Sequence, residues 1–299
     1  MNRRNFTKVL VGSVGMLSGC KSSKSENLID CHAHLWPKLG EFPFRKGIQA
    51  KDLKPASFLA EDLMNAGKPF GFRRFVLIQH IFYHNYDYSY FQKVAKLHPG
   101  KFAIVGALDK KDPMLKEKMK VDAETEVSGY RIPSKDGESW LLGSDMDRYW
   151  KLAAEFNQSI CLLRNRNVSL NSVYEKCRMN PRTRVVVDHY GHVDFKDKEE
   201  VEVLWRLSEL ENVYLKVSKY YGNGRMVPPY LDMLPSFKAV LEKFGSERLM
   251  WGSDCPYQLE GEHTYQAAFE ILAKYADFLT ADDKQNIFQR TAEKVFFKT

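Results

Sequence analysis

A chain of 299 residues with 44% hydrophobic and 28% charged positions has a globular composition, which excludes collagen-like and disordered classes. Three of the charges behind the formal net charge of +7 come from Arg3, Arg4 and Lys8, and the remaining chain mixes both signs without a long basic block. The sequence therefore predicts no nucleic-acid partner.

The N-terminus has the order of residues expected of an export signal. A charged start is followed by an apolar stretch that is short for a transmembrane helix, and then by small residues. Residues 3–8, RRNFTK, resemble a twin-arginine signal, and residues 17–20, LSGC, resemble a bacterial lipobox whose cysteine, Cys20, is lipidated. We expect residues 1–19 to be a signal peptide and residues 20–27 a lipidated tether, so that the mature protein is exported and lipid-anchored to a bacterial membrane. An amphipathic N-terminal helix of a cytosolic protein is the alternative.

From Leu28 onward, short apolar runs alternate with longer segments that repeat apolar residues at three- and four-residue steps. Runs rich in Val, Ile, Leu and Phe are typical of strands buried on both faces, and the intervening segments are typical of helices. Thr280 and Asp283 resemble a capping box that opens a last helix over residues 282–296. The predicted strands lie within residues 28–35, 74–81, 102–109, 127–133, 159–164, 184–192, 213–220 and 249–257.

Eight strand–helix units over residues 28–299 predict one α/β domain folded as a (β/α)8, or TIM, barrel. A doubly wound open sheet is the structural alternative, which the lack of a glycine-rich loop after the first strand disfavours. The remaining cysteines form no C-x-x-C pair, which favours buried thiols, with a Cys31–Cys255 disulfide as the alternative. We expect Cys31 and Cys255 to point into the layer between strands and helices.

Side chains with metal-ligand and acid–base chemistry lie on the first strand and at the ends of strands six and eight. Asp30, His32 and His34 alternate, so we expect them to share the barrel interior, with His34 at the end of the strand where barrel active sites are built. Two imidazoles at this spacing can reach one zinc or similar ion. In a closed barrel Asp254 of strand eight lies beside them, and a carboxylate there binds metal or accepts a proton from water.

Strand six supplies a further candidate, because its end, VVVDHYGH, alternates Val185, Val187 and His189 onto one expected face. Most other histidines are interpreted as structural or solvated. This interpretation applies to His80, His84, His192 and His263, four of the five remaining histidines.

These motifs resemble the amidohydrolase superfamily, through D-x-H-x-H on strand one, D-H-x-G on strand six and G-S-D-x-P on strand eight. The chain is most similar to the amidohydrolase-related branch, which contains sugar lactonases, 2-pyrone-4,6-dicarboxylate lactonase and aromatic-acid decarboxylases. The resemblance implies that His32, His34 and Asp254 surround a metal or the catalytic water. It implies that His189 faces the substrate carbonyl or serves as a further ligand.

One departure from the superfamily bears on the metal and the substrate. Binuclear members carry a Lys, Glu or His ligand at the end of strand four or five, where this chain has Arg131 and Arg164. We therefore predict one divalent metal, with zinc favoured, and keep a metal-free site as the alternative. Cationic and aromatic side chains near strand ends are suited to bind a carboxylate or a sugar ring. The expected substrate-binding residues are Arg131, Arg164, Lys216, Trp36 and Tyr221.

The predicted function is hydrolysis of a lactone or similar cyclic ester, either sugar-derived or carboxylated. In this scheme Asp254 accepts a proton from the attacking water, and His189 with the metal or an arginine stabilises the oxyanion. The alternatives are a metal-dependent decarboxylase of an aromatic acid and a non-catalytic sugar-binding lipoprotein. The expected partners are a small-molecule substrate and a membrane, and a homo-oligomer is compatible with the sequence.

Overall fold

The computed structural model describes residues 27–133, 141, 143–166 and 168–298. The predicted signal peptide and Cys20 lie outside the described residues. Within the described ranges, no helix has the length and the apolar character that crossing a bilayer requires.

Eight parallel strands follow one another around a single sheet in the order of the chain. The last strand lies beside the first, as a parallel bridge between Ala33 and Cys255 shows. Asp254 N donates to His32 O and His34 N donates to Cys255 O, both at 2.8 Å. The predicted (β/α)8 barrel is therefore confirmed. The strands are β1 (Leu28–Ala33), β2 (Phe72–Ile78), β3 (Phe102–Gly106), β4 (Val127–Pro133), β5 (Ser159–Leu163), β6 (Val185–Val187), β7 (Val213–Val217) and β8 (Leu249–Trp251).

Helices between the strands cover the outside of the barrel. The capping box predicted at Thr280 is present, since Thr280 Oγ1 accepts from Asp283 N at 3.1 Å and Asp283 Oδ2 accepts from Thr280 N at 3.0 Å. The last helical region is interrupted by a π-helical turn at Asn286–Arg290. The α-helices are α1 (Ala60–Gly67), α2 (Ile81–His84), α3 (Ser89–Leu97), α4 (Leu115–Asp122), α5 (Ser144–Glu155), α6 (Leu170–Met179), α7 (Lys198–Ser208), α8 (Leu234–Phe244), α9 (Tyr265–Ala273), α10 (Ala281–Gln285) and α11 (Thr291–Phe296).

Apolar side chains fill the barrel interior below the site. Phe296 of α11 packs into this cluster, and α11 contacts β1, β4 and β8, so it closes the N-terminal end of the barrel. A larger apolar cluster lies between the strands and the helices. The interior cluster consists of Ile29, Cys31, Val76, Ile78, Ala103, Val105, Cys161, Val186, Tyr214 and Met250, with Ala292, Val295 and Phe296 from α11.

A β-bulge in β1 changes which side chains face inward. Between Asp30 and Ala33, β1 has one residue more than the opposing stretch of β2. Cys31 and His32 consequently both face the interior, as successive residues do at a bulge. The expectation that Cys31 points outward is therefore wrong. The alternative Cys31–Cys255 disulfide is not present, since both cysteines are free. The cysteines of the described residues are all buried and free, as the sequence predicts.

Asp30 lies on the opposite side of β1 from the two histidines, against the helix layer. Its carboxylate accepts hydrogen bonds from Ser253 N at 2.8 Å and from Tyr265 Oη at 3.0 Å. Burial raises the pKa of Asp30 to about 6, although these hydrogen bonds oppose the shift. The prediction that Asp30 shares the face of the histidines is wrong, and the residue instead ties β1 to β8 and α9.

Candidate active site

Polar side chains from several strand ends line a cavity of about 550 Å³ at the C-terminal end of the barrel. This size suits a small-molecule ligand. His34, His189 and Asp254 contribute to its lining, and His32 lies fully buried directly behind them. The structure thus brings the four predicted residues from β1, β6 and β8 to one end of the barrel.

Three possible metal ligands face one another at the bottom of the cavity. His32 Nε2 lies 3.4 Å and His34 Nε2 lies 3.2 Å from Asp254 Oδ1. One ligand atom from each residue lies within 4.8 Å of the others. Over the described ranges of the chain, this is the one such group of His, Cys, Asp or Glu side chains.

Hydrogen bonding indicates that these atoms suit a cation. His34 Nδ1 lies 2.7 Å from Ile78 O, and because a carbonyl oxygen only accepts, Nδ1 carries the hydrogen. In a neutral imidazole the lone pair of Nε2 then faces the Asp254 carboxylate, and two acceptors this close repel unless a proton or a metal ion lies between them. His32 Nε2 is buried without a hydrogen-bond partner and faces the same carboxylate. Two imidazole nitrogens and one carboxylate oxygen fit a divalent ion such as zinc.

The local backbone places Asp254 against these histidines. Its φ of 62° lies in the left-handed region, directly after β8. Gly252 lets β8 approach β1, because a Cβ at this position would lie 2.6 Å from the Cβ of His32. Tyr221 Oη donates to Asp254 Oδ2 at 2.6 Å. Burial alone would raise the pKa of Asp254, but the surrounding histidines hold it well below its usual range, so the carboxylate is ionised at neutral pH.

His189 presents a hydrogen-bond donor to the cavity. Its Nε2 lies 3.7 Å from Asp254 Oδ2, and its Nδ1 lies 2.8 Å from Ser218 Oγ. Burial lowers the pKa of His189 well below its usual range, so the ring is neutral. The carboxylate opposite Nε2 favours the tautomer with hydrogen on Nε2, in which the Ser218 hydroxyl donates to Nδ1.

Asp188 faces the barrel interior beside His32 and is not among the site residues predicted from the sequence. The alternation predicts Val185, Val187 and His189 on one inner face, but Val185 and Val187 pack against the helices. His189 reaches the cavity because its φ of 54° reverses the alternation at the end of β6. A correct interior register for β6 would have indicated Asp188 from the sequence.

Asp188 and Lys216 form an ion pair beneath the histidines. Lys216 Nζ lies 3.1 Å from Asp188 Oδ1 and 3.2 Å from His32 Nδ1, and neither member of the pair is exposed. Burial would raise the pKa of Asp188, but the Lys216 ammonium holds it well below its usual range. Lys216 does not line the cavity, so the predicted contact with substrate does not agree with its position. Its ammonium group instead neutralises Asp188, whose Oδ1 lies 3.4 Å from His32 Nδ1 and orients that ring.

Of the two arginines expected at the substrate, Arg131 lines the cavity and Arg164 does not. Arg131 Nε lies 4.0 Å from Asp188 Oδ2. Arg164 Nη1 pairs with Glu200 Oε1 at 2.7 Å on the outer side of β5. The inward-facing side chain at the end of β5 is Leu163, because the alternation of the strand turns Arg164 away. That position supplies no metal ligand, and Arg164 acts on the site only through its neighbours.

The two aromatic residues expected at the substrate also differ in their position relative to the cavity. Trp36 is fully buried behind the cavity wall, where its ring packs against His80 at 5.9 Å and Tyr257 at 6.0 Å between centroids. Its predicted stacking on a substrate does not agree with this position. Tyr221 does line the cavity, but its hydroxyl is directed at Asp254. His80 also lines the cavity, although the interpretation from the sequence is that this histidine is structural or solvated.

His192 and Lys219 form the wall on the side of β6 and β7, and neither is among the site residues predicted from the sequence. Lys219 Nζ lies 3.3 Å from His192 Nε2, while His192 Nδ1 lies 2.5 Å from Arg164 O. Burial, with a contribution from Lys219, lowers the pKa of His192 to about 4, so this ring is neutral at pH 7. Both residues follow strand ends, which is the signal that could have identified them.

Comparisons with known proteins agree with this fold. The amidohydrolase family model matches residues 29–298. L-fucono-1,5-lactonase from Burkholderia ambifaria is 25% identical over 279 residues, which cover 87% of this chain and 92% of the relative. Among solved structures, an amidohydrolase from Burkholderia multivorans with bound Zn has a TM-score of 0.75 at 20% identity, covering 90% of this chain and 99% of that chain. A protein from Pseudomonas putida named as a 2-pyrone-4,6-dicarboxylic acid hydrolase has a TM-score of 0.72 at 22% identity, covering 92% and 99%. The two structures share the fold, and the family match over nearly the whole chain shows that this protein belongs to the amidohydrolase family.

Proposed function

We propose that this protein hydrolyses a lactone or similar cyclic ester, sugar-derived or carboxylated. The observation that carries the proposal is the arrangement around Asp254, whose ionised carboxylate faces His32, His34 and His189 at the mouth of the barrel. A proton acceptor and a hydrogen-bond donor at one point are what water attack on an ester carbonyl requires. The 25% identical relative named L-fucono-1,5-lactonase supports a lactone as the substrate.

We infer that His32, His34 and Asp254 hold one divalent ion, with zinc favoured by their nitrogen and oxygen atoms. When bound, such an ion lowers the pKa of a water molecule and polarises a carbonyl group. Leu163 at the end of β5 offers no additional ligand. This favours a mononuclear hydrolytic site over the alternative of an aromatic-acid decarboxylase, whose relatives carry a further metal-binding histidine.

The residues of the cavity account for each proton in the reaction. Asp254 accepts a proton from water as the water oxygen bonds to the carbonyl carbon, and His189 Nε2 donates a hydrogen bond to the carbonyl oxygen. When the ring C–O bond breaks, Asp254 returns the proton to the alkoxide, which gives a hydroxy acid. Tyr221 holds Asp254 Oδ2, so the carboxylate stays oriented through both transfers.

A panel of aldonolactones and carboxylated lactones, assayed for acid release with and without a chelator, tests this function. We expect the wild type to open at least one lactone. Asp254→Asn should lower kcat by about 10²- to 10⁴-fold, which is the contribution of a general base to the rate. Asp277→Asn removes an exposed carboxylate outside the cavity and serves as the matched control. Full turnover by Asp254→Asn would contradict the mechanism, and ligand binding without turnover by the wild type would favour the sugar-binding alternative.

We also propose that residues 1–19 direct export and that Cys20 carries a lipid anchor. The support is the twin-arginine-like RRNFTK and the lipobox-like LSGC in the sequence. In a bacterial host, metabolic labelling with a fatty acid should mark the wild type and leave Cys20→Ser unlabelled. Equal labelling of both proteins would refute the anchor.

A further inference from the structure

The cavity has two unlike walls that face each other. Ile81 and Phe82 of α2 follow β2, and Phe82 is 55% exposed. His192 and Lys219 follow β6 and β7. In a ring of eight strands, β2 and β6 are four places apart and lie on opposite sides of the barrel. A ligand that spans the cavity therefore meets an apolar surface at one end and an ammonium group at the other.

The backbone around Lys219 holds this ammonium group in place. Lys219 adopts the left-handed conformation with φ of 61°, and Asn223 Nδ2 donates to its carbonyl oxygen at 3.0 Å. Gly222 leaves room for the lysine stem, because a Cβ at that position would lie 2.8 Å from Lys219 Cε. The side chain thus follows a fixed path along the cavity wall.

No acid neutralises the ammonium group of Lys219 in the described part of the chain, where every carboxylate lies more than 4 Å from Nζ. Its neighbour is the neutral His192, whose Nδ1 donates to a carbonyl and whose Nε2 accepts one ammonium hydrogen. Asp254, the acid of the cavity lining, already contacts the histidines and Tyr221. Arg131 differs from Lys219 because it faces Asp188.

We propose that Lys219 binds a carboxylate substituent of the substrate, so that the substrate is an anionic lactone rather than a neutral sugar lactone. This inference rests on the proposed lactone hydrolysis and extends it to a substrate class. A half-buried ammonium group that has no acidic partner among the described residues can form charge-assisted hydrogen bonds with a carboxylate. The ring of the substrate then lies toward Phe82 and Ile81, and its ester group lies beside Asp254.

Two lactones of similar shape, one anionic and one neutral, test the proposal. We would measure hydrolysis of 5-oxotetrahydrofuran-2-carboxylate and of the corresponding carboxamide by the wild type, Lys219→Met and Lys219→Arg. Lys219→Met should lower kcat/KM for the carboxylate about 10- to 100-fold, chiefly through KM, as expected for one hydrogen bond to a charged group. For the carboxamide its kcat/KM should stay within about twofold, and Lys219→Arg should retain most activity on both.

Lys196→Met is the matched control, because it removes an exposed lysine of the loop after β6 that does not line the cavity. It should leave both rates unchanged. Equal effects of Lys219→Met on the two lactones, or no effect on the carboxylate, would overturn the proposal and leave lactone hydrolysis intact.

A binding experiment separates this proposal from the proposed function. Calorimetric titration with 2-hydroxyglutarate, the ring-opened product of the carboxylate, should show binding to the wild type and about 10-fold or weaker binding to Lys219→Met. If neither lactone is hydrolysed but this difference persists, the anion site stands while hydrolysis of this lactone is refuted. Equal binding, or binding to neither protein, would overturn the anion site.

Discussion

Replacing Lys216 with Met tests whether the buried ion pair under the histidines supports the fold. The change keeps the apolar stem and removes a charge that lies 3.1 Å from Asp188 Oδ1, with neither side chain exposed. At an effective dielectric constant of about 20, two unit charges at this distance attract by about 5 kcal/mol. Removing one partner of a buried pair costs a similar amount, about 3–5 kcal/mol. We therefore expect Lys216→Met to lower the free energy of unfolding by about 3–5 kcal/mol.

Urea unfolding with linear extrapolation measures this loss. Lys176→Met is the matched control, since Lys176 is equally buried but its partner Asp147 is 51% exposed, and about 1 kcal/mol or less is expected there. The double variant Lys216→Met with Asp188→Asn should lose less than the sum of the single variants, because no orphaned charge remains. Equal losses for Lys216→Met and Lys176→Met would show that the buried Asp188–Lys216 pair stabilises the fold no more than the pair of Lys176 with the exposed Asp147.

Three further changes probe the positions around this pair. Gly252→Ala places a Cβ against His32, so it should cost about 1–3 kcal/mol of stability and weaken Zn²⁺ binding, measured by competition with a chelator; Gly261→Ala, with open space around it, should leave Zn²⁺ binding unchanged. Tyr221→Phe removes the donor to Asp254 and should lower kcat/KM for a hydrolysed lactone by about 10-fold, and an unchanged value would contradict the orienting role. The pKa of Asp188 is lower in the folded than in the unfolded state, so its contribution to stability is present above pH about 4 and is lost as the pH falls through its folded value. Urea unfolding between pH 6 and pH 3 should show this loss in the wild type and a shallower pH dependence in Asp188→Asn, and identical profiles would count against it.

The architecture was predictable from the sequence because it depends on repeated patterns. Eight apolar runs separated by segments of helical periodicity favour a closed parallel barrel, and the capping box at Thr280 follows from local residue types alone. The convergence of β1 and β8 follows from ring closure, which brings Asp254 to the histidines of β1.

The direction of individual side chains was less predictable, because it depends on small departures from ideal strand geometry. The extra residue in β1 separates Asp30 from His32, and nothing in the alternation of the sequence indicates that bulge. A left-handed residue at His189 brings that ring into the cavity and leaves Asp188 in the interior. Arg164 points outward because the inward register of β5 ends at Leu163.

The contacts between neighbouring strands were missed for a related reason. Lys216 pairs with Asp188 because β6 and β7 are adjacent and both side chains face inward at the same level of the barrel. That pairing follows once the interior register is known, and it moves Lys216 from the substrate to the support of His32. Lys219, on the other hand, reaches the cavity through a left-handed turn beyond the end of β7.

We propose that His32, His34 and Asp254 form one site for a single divalent ion. Equilibrium dialysis of the metal-stripped protein against Zn²⁺, followed by elemental analysis, tests it most directly. We expect one Zn²⁺ per wild-type chain and a loss of tight binding in His34→Ala. Two ions per chain, or one ion held equally by the wild type and His34→Ala, would contradict it.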